Sequence, residues 1–205
     1  PTLLYTEFMD HKLNIIDTPG SDDFIGGVIS AFKVADAGVM VVNAQQGVEV
    51  GTEIFARQAE KCKKPLILAL ESVKQTFGKK VLVIQYPIET GVGFNSFIDV
   101  LKMKMYRFKD ENGTREELEI PADQADQAAE LHQVVAEMAA ENDEALMELF
   151  FDKGQLTEEE IRAGLRIGIA KAEIMPLFCL SGRKDIGVKR LMEFVINAAP
   201  SPDKM

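Results

Sequence analysis

The stretch Leu13-Asn14-Ile15-Ile16-Asp17-Thr18-Pro19-Gly20 is a short apolar run that ends in a turn, because Pro and Gly interrupt regular structure. Residues 22–35 follow it with apolar side chains at helical spacing, which predicts a helix. A strand that leads through a turn into a helix is typical of α/β domains. Ligands of open α/β sheets bind at the carboxyl ends of strands, so the turn at Asp17 is the first candidate site.

The alternation of short apolar strands with helices continues downstream of this turn. Residues 38–44 and 65–70 are apolar on both faces, as expected for strands buried in a parallel sheet, and residues 52–62 between them have helical spacing. Near the end of the chain, residues 174–180 predict a strand and residues 187–198 a helix. The sequence therefore predicts an α/β fold with a doubly wound, mostly parallel sheet.

The middle of the chain interrupts this alternation and predicts an inserted α+β sub-domain. Residues 81–84 and 97–108 have strand patterns, and alternation of apolar and polar side chains in the second predicts one face in water. Residues 110–114 are polar and predict the loop of a hairpin.

The second half of this insertion is helical and acidic. Residues 122–151 predict one long helix whose acidic face we interpret as solvated. Thr157 and Glu160 have capping-box spacing and begin a further helix that extends to about residue 172. The apolar side of the long helix is predicted to consist of Ala128, Leu131, Val135 and Met138.

These patterns divide the chain into three parts. Residues 1–70 are the first part of a core domain, residues 71–172 are the insertion together with a leading helix of the core, and residues 173–205 are the last strand and helix of the core. The chain has no signal-peptide pattern and no initiator Met, so we expect it to begin inside a longer protein.

Composition and charge limit the functional classes. With 46% hydrophobic residues the chain is typical of a globular domain, and a formal net charge of −10 disfavours binding to free DNA. No apolar run approaches the ~20 residues that span a bilayer, so no membrane contact is expected. We interpret Cys62 and Cys179 as buried free thiols of a reducing cytoplasm. His11 and His132 have no metal-ligand spacing and are interpreted as solvated or capping side chains.

The residue types at the first turn are suited to phosphate chemistry. An Asp at a strand end can hold a magnesium ion through water, and a Gly three residues later lets its backbone N–H approach a terminal phosphate. The spacing of Asp17 and Gly20 is equally typical of a plain strand-to-helix turn with a solvated Asp. Spacing alone leaves both interpretations open.

The residue identities in these motifs are more specific than their spacing. Residues 13–24 resemble the second-switch motif of translational GTPases, and residues 180–188 resemble their guanine-contacting loop. In that loop a Ser and a small residue, here Ser181 and Gly182, let backbone groups meet the base. Segments that look like the sub-domain of elongation factor G, in the right order, lie at residues 100–104, 120–123 and 156–161.

This resemblance implies a P-loop-GTPase-like fold and a GTP-binding or GTPase domain of a translation factor that acts on the ribosome. The implied ligands are GTP or GDP and magnesium, and the implied partners are the ribosome and its stalk protein. The implied protein is a cytoplasmic monomer. Asp17 is implied to hold magnesium through water, and the implied nucleotide contacts come from Asp17, Thr18, Pro19, Gly20, Ser181 and Gly182.

Two motifs of the family are absent from this sequence. It contains no glycine-rich phosphate loop of the form G-x-x-x-x-G-K-[ST], whose backbone cradles the phosphates. The family's guanine-selecting Asn-Lys-x-Asp motif is also missing, and Leu70 runs directly into Glu71 where that motif is expected. We expect the complete protein to contain a loop at this point, with a true deletion as the alternative.

A third departure is Ser21, which stands where the family has a His that orients the attacking water. Ser21 is therefore the candidate catalytic residue, and the change implies slow hydrolysis or a different arrangement for the water. Two functions stay open. One is a GTPase, if the complete protein carries the missing motifs; the other is a degenerate, non-hydrolysing domain that binds the ribosome or another partner.

Overall fold

The computed structural model describes residues 1–43, 47–69, 80–110 and 113–201. They contain a two-stranded antiparallel sheet, a four-stranded parallel sheet and a four-stranded antiparallel sheet. The expected loop between Leu70 and Glu71 lies outside the described residues. No helix in the described ranges is long and apolar enough to cross a membrane.

The elements follow one another along the described chain as ten strands and six α-helices. The strands are β1 (Thr2–Phe8), β2 (His11–Asp17), β3 (Gly38–Val41), β4 (Leu66–Ala69), β5 (Val81–Val83), β6 (Gln85–Pro87), β7 (Ser96–Asp99), β8 (Lys104–Phe108), β9 (Arg115–Leu118) and β10 (Met175–Leu177). The helices are α1 (Ile25–Val34), α2 (Val50–Lys61), α3 (Ala125–Ala140), α4 (Glu144–Lys153), α5 (Glu158–Ala170) and α6 (Val188–Ala198).

The parallel sheet has the strand order β3-β4-β10-β5, which confirms the predicted α/β class. Helices α1 and α2 pack on it through a small apolar core that includes Phe32, Ala59 and Leu66. Strand β5 falls within the segment that we assigned to the insertion, yet it pairs with β10 in this sheet. The division of the chain at residues 71 and 172 otherwise stays a prediction.

Strand β3 differs from the expectation of burial on both faces. It ends at Val41, and its side chains Val39 and Val41 are 48% and 70% exposed. Because β3 is the edge strand of the described sheet and alternate side chains point to opposite faces, one of its faces is not covered. Apolar composition on both faces therefore did not predict burial here.

The antiparallel sheet has the order β6-β7-β8-β9 and is joined to the parallel sheet at Ile84. The Ile84 N–H donates to the Leu177 carbonyl at 3.0 Å, and the Ile84 carbonyl accepts from the Val100 N–H at 2.9 Å. Strands β8 and β9 pair as the predicted hairpin requires, and Glu111 and Asn112 of its predicted loop lie outside the described residues.

The single strand predicted over residues 97–108 is wrong, because a turn separates β7 from β8. The Asp99 carboxylate accepts a hydrogen bond from the Lys102 backbone N–H at 3.0 Å. Met103 then adopts a left-handed φ of 51°. A side chain that bonds a nearby backbone group stabilises a turn against the extended conformation.

The single helix predicted over residues 122–151 is also wrong, because it divides into α3 and α4. The Asp143 carboxylate accepts hydrogen bonds from the backbone N–H groups of Ala145 and Leu146 at 3.0 and 3.1 Å, which begins a new helix. The predicted apolar side of α3 is confirmed, with Ala128 and Val135 fully buried in the main core and Leu131 and Met138 packed against it.

The predicted capping box at the start of α5 is confirmed. The Thr157 backbone N–H donates to the Glu160 carboxylate at 2.7 Å, and the Glu160 N–H donates to the Thr157 hydroxyl at 3.3 Å. The backbone hydrogen bond from Thr157, followed by the bond from its hydroxyl, lowers the pKa of Glu160.

Glu160→Gln is expected to make the stability of the protein less dependent on pH, because Gln keeps the capping geometry without the charge. A carboxyl group with a lowered pKa in the folded state stabilises that state above its unfolded pKa, and this contribution is lost as the pH falls through the folded pKa. The wild type is therefore expected to be more stable than Glu160→Gln at pH 7, with the difference disappearing in acid. Urea denaturation at several pH values measures it, with Glu159→Gln as the control in the same helical turn; an equal pH-dependent difference in both variants would contradict the capping role.

Candidate functional site

The first candidate segment lies at the carboxyl end of β2. Asp17 is the last residue of this strand and its side chain is exposed. Gly20 and Ser21 are also exposed, and a Cβ at Gly20 would meet no atom within 4 Å. The Ser21 carbonyl accepts a hydrogen bond from the Phe24 N–H at 3.0 Å, which begins the short 3-10 helix Asp22–Phe24 before α1. This turn presents a carboxylate, an open glycine backbone and a hydroxyl to solvent.

The second candidate segment is the loop of residues 181–187, which joins β10 to α6. Ser181 and Ile186 close it with two backbone hydrogen bonds of 2.9 and 3.0 Å. Gly182 is exposed, and a Cβ there would meet nothing within 4 Å, so the backbone at this position is open to a ligand. Gly187 has a left-handed φ of 77°, and a Cβ there would lie 2.6 Å from the Cys179 carbonyl oxygen. The loop conformation therefore requires glycine at residue 187.

The two segments lie on different sheets. In the parallel sheet Val41 pairs with Ala69 and Leu68 with Leu177, so β3, β4 and β10 end at one edge, where the 181–187 loop leaves the sheet. Among the described strands β2 pairs only with β1, so Asp17 is held by the separate hairpin. The structure thus places Ser181 in the loop that follows the carboxyl end of β10, the edge at which open α/β sheets generally bind ligands, and the nucleotide contacts themselves stay a prediction.

A buried ion pair that the sequence analysis did not identify lies beside the 181–187 loop. Arg190, in the first turn of α6, donates from Nε to Asp99 Oδ2 at 2.6 Å, and the two side chains are 2% and 0% exposed. Gln85 Nε2 donates to the same oxygen at 3.3 Å. Burial alone would lower the pKa of Arg190, but the charge and hydrogen bond of Asp99 outweigh it, so the pKa is raised. This pair joins α6 to the antiparallel sheet.

The sequence did contain a signal for this pair. Arg190, Phe194 and Ala198 are four residues apart and are the buried residues of α6. A charged residue at a core position of an amphipathic helix needs a buried partner. The partner itself, Asp99, lies 91 residues away and has no local signature.

An apolar group beneath the loop comprises Phe97, Tyr106, Phe108, Cys179 and Ile186, and we refer to it as the loop-support cluster. Burial, followed by the charges of Asp99 and Glu117, raises the pKa of Tyr106 to about 12, so its phenol is neutral at pH 7. Tyr106 therefore contributes no charge to the underside of the loop.

The residues present fit a magnesium ion only in part. Among the described residues, no three His, Cys, Asp or Glu side chains lie together as a metal site. Magnesium is commonly held by one or two carboxylates while water and substrate phosphates supply the remaining ligands, and the single exposed Asp17 fits that pattern.

His132 Nδ1–H donates to the Val100 carbonyl at 2.8 Å and so connects α3 to the turn after β7.

Comparison with known proteins identifies the family. The model of the elongation factor Tu GTP binding domain matches residues 2–201. A crystal structure of a protein from Thermus thermophilus has a TM-score of 0.87 and 30% sequence identity, covering 98% of this chain and 32% of that one. This chain thus spans about a third of the length of that protein, and the likeness confirms the P-loop-GTPase-like fold with an added antiparallel sheet. The chain belongs to the elongation factor Tu GTP-binding domain family.

Proposed function

We propose that this chain is the GTP-binding domain of a translation factor similar to elongation factor G, which binds and hydrolyses GTP on the ribosome. The observation that carries the proposal is the insertion between β5 and β10, which consists of an antiparallel sheet and the helices α3, α4 and α5. The segments that resemble the sub-domain of elongation factor G lie within this insertion.

The proposed roles follow from the exposed groups of the two candidate segments. Asp17 would hold magnesium through water, and the open backbone at Gly20 would approach the terminal phosphate. Gly182 would present backbone groups to the base at the edge of the parallel sheet, and Ser181 would hold them in place through its two backbone hydrogen bonds to Ile186. When bound, magnesium supplies positive charge that neutralises the phosphate oxygens.

The main test compares nucleotide binding and hydrolysis by the complete protein. We expect guanine nucleotides to compete with a fluorescent GDP analogue at much lower concentrations than adenine nucleotides. Ribosomes are expected to accelerate single-turnover GTP hydrolysis. A hydrolysis rate that ribosomes leave unchanged would contradict the GTPase proposal.

Ser21→His is expected to raise the rate of GTP hydrolysis on the ribosome by about tenfold to 10²-fold, because positioning of the attacking water is a large part of catalysis. The side chain of Ser21 is exposed, so the substitution introduces no overlap in a core. Single-turnover kinetics measure the change, with Ser30→His, on the exposed side of α1, as the control. An unchanged rate would mean that this factor orients its water in another way.

A second candidate function is a degenerate domain that binds a partner and does not hydrolyse GTP. Ser21 favours it, because a hydroxyl is shorter than an imidazole and cannot carry its charge. Guanine-selective binding without ribosome-stimulated turnover, even in Ser21→His, is the result expected of this candidate.

The remaining parts of the proposal concern partners and location. The exposed acidic face of α3 is the proposed contact for the ribosomal stalk protein. We further propose that the complete protein is a cytoplasmic monomer. Sedimentation of the complete protein with intact ribosomes and with stalk-depleted ribosomes tests the stalk contact, and loss of binding to the depleted ribosomes is the expected result.

A further inference from the structure

The 181–187 loop rests on one face of the inserted antiparallel sheet. Its Ile186 side chain is 2% exposed and belongs to the loop-support cluster together with Phe97, Tyr106 and Phe108. The ring centroid of Phe97 lies 5.7 Å from that of Tyr106 and 5.7 Å from that of Phe108, so the three rings form one continuous surface. The loop is thus anchored from below by residues of the insertion.

The backbone of the loop also lies close to the insertion. A Cβ on Gly187 would lie 3.4 Å from a ring atom of Phe97. A Cβ on Gly113, in the loop between β8 and β9, would lie 2.6 Å from Asp185 Oδ2 and 3.1 Å from the Asp185 carbonyl oxygen. The insertion therefore approaches the last three residues of the loop at two separate points.

The backbone hydrogen bonds of this loop are local. Two of them between Ser181 and Ile186 close it, and a longer one of 3.4 Å joins the Asp185 N–H to the Gly182 carbonyl. The side chains of residues 181–185 are exposed or half-buried. The packing of Ile186 is therefore a buried tertiary restraint on the backbone that faces the carboxyl edge of the sheet.

We propose that Phe97 and Ile186 are positioning residues for the base of the guanine nucleotide, so that the inserted sheet sets the lifetime of the bound nucleotide. This inference rests on the proposed guanine-binding function. Backbone groups at Gly182 would contact the base, and their orientation depends on Ser181, whose own backbone N–H and carbonyl are bonded to Ile186. Loosening the anchor weakens these contacts without removing any group that touches the nucleotide, and such changes act mainly on the dissociation rate.

Phe97→Ala in the complete protein is expected to accelerate dissociation of a fluorescent GDP analogue about tenfold, with a much smaller effect on association. The preference for GDP over ADP is expected to fall by a similar factor, because only the base contacts are loosened. Stopped-flow displacement measures the rates, and competition titrations measure the preference. Phe97→Leu, which retains most of the apolar volume, is expected to lie between the wild type and Phe97→Ala.

Ile98→Ala is the matched control. Ile98 is adjacent in β7 and, like Phe97, is fully buried, but it packs into the main core on the opposite face of the sheet. It is expected to lower stability comparably while leaving the dissociation rate and the GDP preference close to wild type. Thermal unfolding confirms that each variant is folded, and Ile186→Val replaces Phe97→Ala if the latter does not fold.

The outcomes separate this inference from the proposed function. A wild-type protein that does not bind GDP would overturn the proposed function and this inference with it. Binding by the wild type, together with equal effects of Phe97→Ala and Ile98→Ala on dissociation and base preference, would overturn the positioning role alone. A selective effect of Phe97→Ala on both quantities supports it.

Discussion

Asp99→Ala is expected to lower the free energy of unfolding by about 3–5 kcal/mol, because it leaves a buried guanidinium without its carboxylate. Arg190 and Asp99 are 2% and 0% exposed, and Arg190 Nε donates to Asp99 Oδ2 at 2.6 Å. The nearest remaining acid, Glu193, lies 3.7 Å from Arg190 Nη1, which is too long for a strong hydrogen bond. Asp99 also accepts from the Lys102 N–H, so the turn after β7 loses its closing bond.

Chemical denaturation measures this loss of unfolding free energy, and two further variants serve as controls. Glu53→Ala removes an exposed partner of Arg57 at 3.3 Å and is expected to cost about 0.5 kcal/mol or less. Asp99→Asn retains an oxygen that can accept from the Lys102 N–H but removes the charge. The part of the stability loss that is common to Asp99→Asn and Asp99→Ala therefore comes from the ion pair. If Asp99→Ala cost no more than Glu53→Ala, the burial of α6 against the antiparallel sheet would be wrong.

Gly164→Ala is expected to destabilise the protein by about 1–3 kcal/mol, although Ala normally favours a helix. Gly164 is buried in α5, where that helix crosses α3. A Cβ there would lie 2.7 Å from the carbonyl carbon of Ala139 and closer still to its oxygen. A backbone carbonyl cannot rotate away as a flexible side chain can, so the two helices would have to separate.

The same Gly-to-Ala substitution in another helix is expected to raise the free energy of unfolding instead of lowering it. Gly26, in the first turn of α1, is exposed, and a Cβ there would meet nothing within 4 Å. Gly26→Ala is therefore expected to stabilise the protein by about 0.5–1 kcal/mol, because Ala has the higher helix propensity and restricts the unfolded chain. Thermal or urea denaturation of both variants shows whether each substitution raises or lowers the stability of the protein. Stabilisation by Gly164→Ala would mean that α3 and α5 are not in close contact.

The sequence predicted secondary-structure elements correctly where neighbouring residues determine them. The capping box of Thr157 and Glu160 and the hairpin between β8 and β9 are set by neighbouring residues, and both are confirmed. The errors arose where a short local signal was overlooked inside a longer periodic pattern. Asp143 begins a second helix, and Asp99 closes a turn, in segments that otherwise continue a single period.

The candidate site was predicted less completely than the fold. The motifs at Asp17 and at Ser181 were recognised from their residue identities. The structure places Asp17 at the end of β2 and Ser181 after β10. No pattern in the sequence indicated the residues that support the second segment from below. Phe97 and Ile186 belong to strands and loops distant in sequence, and an aromatic residue in a strand pattern looks the same whether it faces a helix or a loop.

By itself, the sequence determined the α/β class, the alternation of strands and helices in the parallel-sheet domain, and the family, because local periodicity, turn residues and short motifs need no knowledge of distant contacts. Only the tertiary structure decided that Asp99 neutralises Arg190 and that the inserted sheet supports the 181–187 loop. It also decided that Val39 and Val41, although apolar, face outward from an edge strand. Burial and charge pairing depend on which surfaces meet in space, and residues about ninety positions apart acquire that relationship only when the chain folds.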